Sequence, residues 1–269
     1  MSNIRIRQIA QVGQDYAGIE RQLRDVFDLE VSYRDAGGRP FEEAGVSPFG
    51  LRNHIFPIGN QFLETVSPKP DVSDSAAARY LERRGGDGGY MVIMQVPESE
   101  YAARRQHVID LGARLVADGE ISGSGSAGFH VHPKDMPGGI NELRWCEEED
   151  REDGAWWPTG PGWQSHKRTE IVRAIRAAEI QTPDPASVAA RWGAILQEPV
   201  ATDRAGRVTI ELHGATVRFV EPSDGRPEGL GGLDLEAVDA ERALSNADRL
   251  GVRAGDDLIV ICGLRLRLV

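Results

Sequence analysis

Residues 60–68 read Asn-Gln-Phe-Leu-Glu-Thr-Val-Ser-Pro, which is the pattern of a short β-strand. Successive side chains of a strand point to opposite faces of the sheet, so Phe62, Glu64 and Val66 share one face. A carboxylate among inward-facing apolar side chains needs a partner, such as a metal ion, a cation or a substrate, because burial of an unpaired charge is costly. The stretch therefore predicts a site on the inner face of a sheet.

Two other stretches also place one polar residue on an apolar strand face. Gln8 follows Ile4 and Ile6 at alternate positions, and Glu142 lies in a third apolar stretch. Strand periodicity predicts that Ile4, Ile6 and Gln8 all point in the same direction. We expect Gln8 and Glu142 to join Glu64 in a single site.

Length and composition restrict the class of protein. The chain has 269 residues, 40% of them hydrophobic, which is enough for two domains with their own cores. No apolar run reaches the roughly 18 residues of a membrane span, and the N-terminus lacks the charged-then-apolar order of a secretion signal, so we expect a cytoplasmic protein. The net charge of -11 argues against nucleic acid as a partner. Cys146 and Cys262 lie far apart, and their spacing predicts neither a zinc site nor a disulfide framework.

One pattern recurs along the chain: a strand, a helix of about three turns, and further strands. The first half has predicted helices at 16–27, 74–84 and 99–115, with strands at 4–12, 30–34, 53–58, 61–67, 90–96, 128–132 and 139–146. The second half has predicted helices at 185–196 and 240–250, with strands at 172–175, 208–212, 215–221, 232–238 and 257–269. The glycine-rich segment 85–89 predicts a hinge inside the first half.

The boundary between the halves is predicted from composition. Residues 147–166 combine an acidic run with a Gly-Pro-Gly sequence, which is typical of a solvated connector. We therefore predict a first domain at 1–148, a linker at 149–166 and a second domain at 167–269.

Four of the five tryptophans lie near this boundary. They are Trp145, Trp156, Trp157 and Trp163. Large aromatic side chains are common at interfaces because they bury much area for little loss of entropy. We expect them to pack between the domains or between the protomers of a homodimer.

These elements and motifs together resemble the vicinal oxygen chelate superfamily, which includes glyoxalases, bleomycin-resistance proteins, extradiol dioxygenases and methylmalonyl-CoA epimerase. The resemblance rests on three segments: residues 60–68, the run 83–90, and residues 129–143 with their Phe-His-Val-His-Pro-Lys start. It implies an α+β fold in which four βαβββ modules form two tandem domains with cupped mixed sheets.

The resemblance also implies positions for metal ligands. Carried over by position, they are Gln8, Glu64, Met91 and Glu142, with Met91 where the family most often has histidine. A thioether is a poor ligand for the ions that such sites use, so Met91 is assigned to ligand contact instead. The remaining oxygen donors, Gln8, Glu64 and Glu142, would suit Mg or Mn better than Zn. Glu142 has an alternative role as the ion-pair partner of Arg144.

The equivalent positions in the second half predict that its site has been lost. They are occupied by Ala177, Arg218, Leu233 and an apolar residue near Leu266, none of which offers a hard-metal side-chain ligand. The second domain is therefore expected to be a degenerate copy that packs against the first or mediates dimerisation.

Further residues are candidates for the wall of the site. His130 and His132 form an HxH pair on one side of a strand, His130 as a ligand-binding residue and His132 as a catalytic residue near the rim. His54 is either a catalytic proton shuttle or a core imidazole. Asn60 and Tyr90 are candidate substrate contacts.

Two functions of different classes remain open. The first is a glyoxalase-like lyase, isomerase or epimerase that acts on a small oxygenated metabolite by metal-assisted proton transfer, with Glu64 moving the proton. The second is a metal-free protein that binds or sequesters a small molecule, of the bleomycin-resistance type. A descendant without a working site is a third, weaker alternative.

Overall fold

The structure is a computed structural model that describes residues 2–35, 46, 49–72, 74–120 and 125–269. Within these residues no helix has the length and apolar character needed to span a membrane.

The first half of the chain forms one mixed sheet of eight strands, in the order β2-β3-β4-β1-β5-β8-β7-β6. Its elements are β1 (Arg5–Val12), α1 (Tyr16–Phe27), β2 (Tyr33–Arg34), β3 (Leu51–Ile58), β4 (Gln61–Pro68), α2 (Ala76–Arg84), β5 (Gly88–Gln95), α3 (Glu98–Asp110), β6 (Leu115–Glu120), β7 (Ser126–Val131) and β8 (Ile140–Cys146).

The second half forms a mixed sheet of seven strands, in the order β10-β11-β12-β9-β13-β15-β14. It follows two short 3₁₀ helices (Trp157–Thr159 and Trp163–His166) and consists of β9 (Val172–Gln181), α4 (Pro185–Leu196), β10 (Val200–Thr202), β11 (Val208–Leu212), β12 (Ala215–Val220), β13 (Gly229–Ala237), α5 (Ala240–Leu250), β14 (Leu258–Ile261) and β15 (Leu264–Leu268).

The same strand pairing occurs in both sheets. The first strands of the two modules lie antiparallel at the centre, as β1 with β5 and β9 with β13. Each of these strands pairs in parallel with the last strand of its own module, as β1 with β4 and β13 with β15. The predicted α+β fold with tandem modules and cupped mixed sheets is confirmed.

Helix ends follow local sequence signals. The ranges predicted for α1, α4 and α5 match the structure, and each of these helices has an aspartate N-cap that accepts a backbone N–H, as Asp15 does from Gly18. The predicted helix 99–115 is too long, because the chain turns at Gly112, which has a left-handed φ of 72°, and Leu115 already begins β6.

The predicted glycine hinge at 85–89 is wrong in part. Gly85 ends α2 in a left-handed conformation, but Gly88 and Gly89 begin β5. A Cβ atom at Gly89 would lie 2.5 Å from the carbonyl oxygen of Leu230 in β13. The absence of a side chain at Gly89 therefore allows β5 to approach the second sheet closely.

Two apolar clusters fill the molecule. The larger one includes side chains of both halves, from Ile4 to Leu268, and here α1 packs against α5 and α3 against α4. The smaller cluster covers the opposite face of the first sheet and includes Ala10, Met91 and Trp156. The helix-covered faces of the two sheets thus share one core.

Gly59, at the β3–β4 turn, offers a test of the contact between the halves. It has a φ of 61°, and a Cβ atom there would lie 2.0 Å from the backbone oxygen of Arg173. We expect Gly59→Ala to lower the free energy of unfolding by roughly 3 kcal/mol. The Arg173 backbone must move away from the new methyl group, and the alanine must adopt a φ that is unfavourable for it.

Gly206→Ala is the matched control, since Gly206 has a φ of 81° with no atom within 4 Å of the added Cβ. Gly206→Ala should lower the free energy of unfolding by about 1 kcal/mol, which is the cost of a left-handed φ at alanine without any steric clash. Equal costs for the two variants in chemical denaturation would contradict the close contact.

Candidate functional site

The candidate site lies on the face of the first sheet that α1 and α3 leave uncovered, which we call the first cup and define by Gln8, Ala10, Glu64, Met91 and Glu142. In the sheet register, Ala10 is opposite Glu64 on one side and Met91 on the other. The next strand continues the face, because Glu142 of β8 is paired with Ile93 of β5. The three polar positions singled out in the sequence are thus brought to one face.

A register shift in β1 decides which residues line the first cup. Ile4 and Ile6 lie in the larger core under the helices, whereas Ala10 and Val12 belong to the cluster of the first cup. The irregularity falls between Ile6 and Gln8, which turns the rest of the strand over. The prediction that Ile4 and Ile6 share a face with Gln8 is therefore wrong.

Glu64 is held by two side-chain amides. Gln8 Nε2 donates to one carboxylate oxygen at 2.8 Å, and Asn53 Nδ2 donates to the other at 2.5 Å. Glu64 is only 6% exposed. Asn53 was not identified from the sequence, although it alternates with Ile55 on β3, directly beside β4.

Both amides are fixed in orientation by further donors. Trp156 Nε1 donates to Gln8 Oε1 at 2.7 Å, and the backbone N–H of Asp35 donates to Asn53 Oδ1 at 3.0 Å. Because each amide oxygen already accepts a hydrogen bond, each NH₂ group must face Glu64.

The connecting segment is part of this site. Trp156 and Trp163 are each 1% exposed and belong to the cluster of the first cup. They surround the Arg7 guanidinium with Phe62, at 5.4–5.6 Å from the three ring centroids. Arg7 in turn donates to the Gly154 carbonyl at 2.8 Å.

The segment between the two sheets is partly buried, contrary to the prediction of a solvated linker. Residues 147–166 are not simply a solvated connector, and Trp156 and Trp163 pack on the first sheet instead of between domains or protomers. The tryptophans in this segment indicate burial, whereas its acidic run and its glycines indicate exposure to solvent. The prediction followed the acidic run and the glycines.

Glu142 has charged partners. His130 Nε2 lies 2.8 Å from one carboxylate oxygen, and Arg144 Nε donates to the other at 2.5 Å. Arg144 also donates to the Ser126 hydroxyl at 2.8 Å. The ion pair with Arg144, the alternative role foreseen for Glu142, is present.

The two buried carboxyl groups differ in acidity for this reason. Burial raises the pKa of Glu64 to about 7, against the opposing effect of the Asn53 and Gln8 hydrogen bonds. Burial acts in the same direction on Glu142, but the charges of Arg144 and His130 outweigh it and hold its pKa at about 2. At neutral pH Glu64 is therefore poised between its two protonation states, whereas Glu142 is a fixed anion.

The oxygen donors do not fit a divalent metal ion. The only side-chain oxygen of Gln8 accepts from Trp156, and both oxygens of Glu142 are paired with cationic or imidazole groups. Met91 contributes a thioether, which is a weak ligand for Mg or Mn. Among the described residues no three His, Cys, Asp or Glu side chains are grouped so that they could hold a metal ion.

His54 lies on the wrong face for the catalytic role. It is fully buried on the helix-covered side of β3, where its ring is 4.6 Å from that of Tyr16 and 5.3 Å from that of Phe56. Burial lowers its pKa to about 4, so it is a neutral core imidazole.

Two further candidates lie outside the first cup. His132 follows the end of β7, where its Nδ1 accepts the backbone N–H of Lys134 at 3.1 Å. Asn60 is in the β3–β4 turn, and its side-chain oxygen accepts from Lys167 Nζ at 2.6 Å. Both have local structural partners and do not face Glu64.

Tyr90, Met91 and His130 do line the site. Tyr90 and Met91 belong to its apolar cluster, and burial raises the pKa of Tyr90 to about 12, so its hydroxyl stays neutral. Tyr80 of α2 packs edge-on against Tyr90 at 4.9 Å and was not identified from the sequence.

The second sheet has ion pairs where the first has its site. Arg218 binds Glu179 at 2.9 Å and Asp234 at 2.7 Å, all on the face opposite α4 and α5. Leu233, which was assigned to an equivalent site position, lies in the larger core instead, as does Leu266 near the fourth position. Arg218 is correctly placed on the site-equivalent face.

The raised pKa of Glu64 predicts a distinctive pH dependence. The Glu64 carboxyl ionises near pH 7 in the folded protein and near pH 4.5 in the unfolded chain. The free energy of unfolding of the wild type therefore falls as the pH rises through this window. We expect the stability of Glu64→Gln relative to the wild type to increase by roughly 3 kcal/mol between pH 4 and pH 8, in denaturant titrations.

Glu142→Gln is the control of opposite sign. In the folded wild type the pKa of Glu142 is about 2. The ionised Glu142 carboxylate therefore stabilises the fold above pH 4.5, and this stabilisation is lost as the pH falls towards 2. The same pH profile for both variants would contradict the assignment of the two environments.

The Trp156 hydrogen bond can be tested separately. In Trp156→Phe the Gln8 amide is free to turn and accept a hydrogen bond from protonated Glu64, so we expect the Glu64 pKa to rise by about one unit. The measurement is the pH titration of the glutamate carboxyl signals by NMR. Trp163→Phe is the control, because Trp163 Nε1 donates to the Gly154 carbonyl and not to Gln8; a shift in both variants would mean that cluster packing, and not Trp156, is responsible.

Similar folds occur among solved structures of low sequence identity. A mutant of 4-hydroxymandelate synthase from Streptomyces coelicolor is 14% identical, with a TM-score of 0.66 over 95% of this chain and 78% of that one. A hypothetical protein from Staphylococcus aureus is 10% identical, with a TM-score of 0.64 over 99% of this chain and 100% of that one. Methylmalonyl-CoA epimerase from Mycobacterium tuberculosis is 18% identical, with a TM-score of 0.43 over 55% of this chain and 93% of its own.

No protein-family model and no curated protein matches the sequence. The synthase has the vicinal oxygen chelate fold and spans both sheets of this chain. The strand order, the repeated modules and this likeness agree with the resemblance noted in the sequence. The chain therefore has the fold of a two-domain vicinal oxygen chelate protein.

Proposed function

We propose that the protein is an isomerase- or lyase-type enzyme that moves a proton on a small oxygenated metabolite bound in the first cup, with Glu64 as the proton-transfer group. The observation that carries the proposal is the environment of Glu64, a buried carboxyl with a pKa of about 7 and two fixed amide donors. A base with a pKa near the working pH combines a useful fraction of ionised groups with adequate strength.

The chain's own residues suffice for this step. Glu64 takes a proton from a carbon next to a carbonyl group and can return it on the other side or to a neighbouring atom. Gln8 and Asn53 hold the carboxylate while its charge changes, and the neutral hydroxyl of Tyr90, which belongs to the same apolar cluster, would donate to a substrate oxygen. Since the donors do not fit a metal ion, we assign no step to one.

Solvent exchange is the direct test. A panel of small 2-oxo acids, 2-hydroxy ketones and acyl thioesters is incubated with the protein in D₂O, and loss of the proton next to the carbonyl is followed by NMR. We expect exchange with at least one compound and a loss of about a hundredfold or more in Glu64→Gln. Glu211→Gln, an exposed glutamate in β11, is the control and should exchange at the wild-type rate.

A metal-free binding protein is the second candidate. The fixed hydrogen bonds of Gln8 and Glu142, together with the packed aromatic side chains around Arg7, favour a rigid binding face over a mobile catalytic centre. Quenching of tryptophan fluorescence by a compound that never exchanges a proton would support this candidate and contradict the enzyme.

Two expectations about the cellular context stay predictions of the sequence. They are a cytoplasmic location and a homodimer. The dimer is tested by sedimentation of the purified protein.

A further inference from the structure

We propose that the protein binds an oxyanion, a phosphate or a carboxylate group, in an open depression at the carboxyl ends of β1 and β4. The depression has a volume of about 760 Å³. Its polar walls are Gln14 after β1, Arg52 of β3, Ser67 and Lys69 at the end of β4, and Glu82 of α2. It is separate from Glu64, so it does not depend on the proposed function.

Two buried donors of this depression have no partner. The Ser67 hydroxyl and Arg52 Nε are shielded from solvent, yet neither makes a hydrogen bond within the described part of the chain. Ser67 itself is 1% exposed. Arg52 and Ser67 are directly opposite each other in the β3–β4 register, so their side chains lie side by side on one face. A buried polar group without a partner is costly, and a ligand atom that accepts from both would remove that cost.

Within the described residues, Arg52 is positioned by a ring contact and not by hydrogen bonds. Its guanidinium carbon lies 4.5 Å from the centre of the Tyr16 ring, in a cation–π contact at the start of α1. This contact restrains the side chain through the face of the guanidinium group. The N–H groups at its edge thus remain available for an acceptor.

The charges of the depression favour an anion. Among the described residues neither Arg52 nor Lys69 has a carboxylate within ion-pair distance, whereas Arg114 pairs with Asp135 and Arg218 with two acids. Glu82, from α2, is the acid on the opposite wall, so the two cations exceed it by one charge. A positive site of this kind stands out in a chain with a net charge of -11.

Arginine, lysine and a hydroxyl are the donor types that recognise oxyanions. Guanidinium offers paired N–H groups, ammonium supplies a compact charge, and serine adds a neutral donor. Phosphate and carboxylate share this chemistry, and they differ in charge and in the number of acceptor oxygens. The depression is also about 10 Å along β4 from Glu64, given the rise of a strand.

The test is a titration of the ¹⁵N-labelled full-length chain with inorganic phosphate and, in a second series, with acetate, both at constant ionic strength. We expect saturable shifts of the Ser67, Lys69 and Gln14 amide signals with at least one of the two ions; the stronger response identifies the preferred group. The double variant R52Q/K69Q should weaken binding at least tenfold, and S67A should weaken it severalfold.

R21Q/K134Q is the matched control, because it removes the same charge from two exposed positions outside the depression. It should bind as the wild type does. The proposal is overturned if neither ion gives saturable shifts, or if R52Q/K69Q and R21Q/K134Q weaken binding equally, which would indicate only general screening. Because S67A keeps both charges, it separates loss of a donor from loss of charge.

Discussion

The hydrogen bond from the Trp156 indole to Gln8 is the contact on which the first cup depends. It joins the segment between the two sheets to the central strand of the first sheet, and it fixes the amide that faces Glu64. Burial of the indole, of Gln8 and of the carboxyl makes these contacts interdependent, since none of the three can turn to water instead. The floor of the cup and its covering segment therefore form one unit.

The two carboxyl groups of this sheet show how neighbours decide acidity. Glu64 and Glu142 are both buried, and burial alone would raise the pKa of each. Amide N–H groups offset only part of that effect, because they are neutral. A guanidinium and an imidazole offset all of it. A single cup thus contains one carboxyl suited to proton transfer and another suited to holding structure.

The fold could be predicted from the sequence because its signals are local. Apolar periodicity alone predicted the ranges of α1, α4 and α5, and the structure shows an aspartate cap at the start of each. The errors come from tertiary contacts. The irregularity in β1 after Ile6 reverses which side chains of the strand face the helices, and nothing in the local composition indicates it. Gly89 lies in a strand that packs closely against β13, a contact that the local sequence does not reveal.

The site could be predicted only in part for the same reason. Strand alternation identified Glu64 and Glu142, since each is a polar residue in an apolar pattern. It also singled out Gln8, but on the wrong face, with Ile4 and Ile6. Asn53 and Trp156 complete the arrangement from β3 and from a segment far along the chain, and no short pattern connects them to Glu64. His54 was wrongly placed because an alternating pattern does not reveal which face of a strand the helices cover. Asn60 lies in a turn, where its side chain is held by Lys167 from a distant part of the chain.

The shared core has an implication for how such a chain persists over evolutionary time. The outer helices of each half are shielded by those of the other, with α1 against α5 and α3 against α4. A duplicated half that has lost its own chemistry would still be retained, because its deletion would leave α1 and α3 facing water with apolar side chains. Selection for the solubility of one half alone is then sufficient to preserve the other, whatever its own activity.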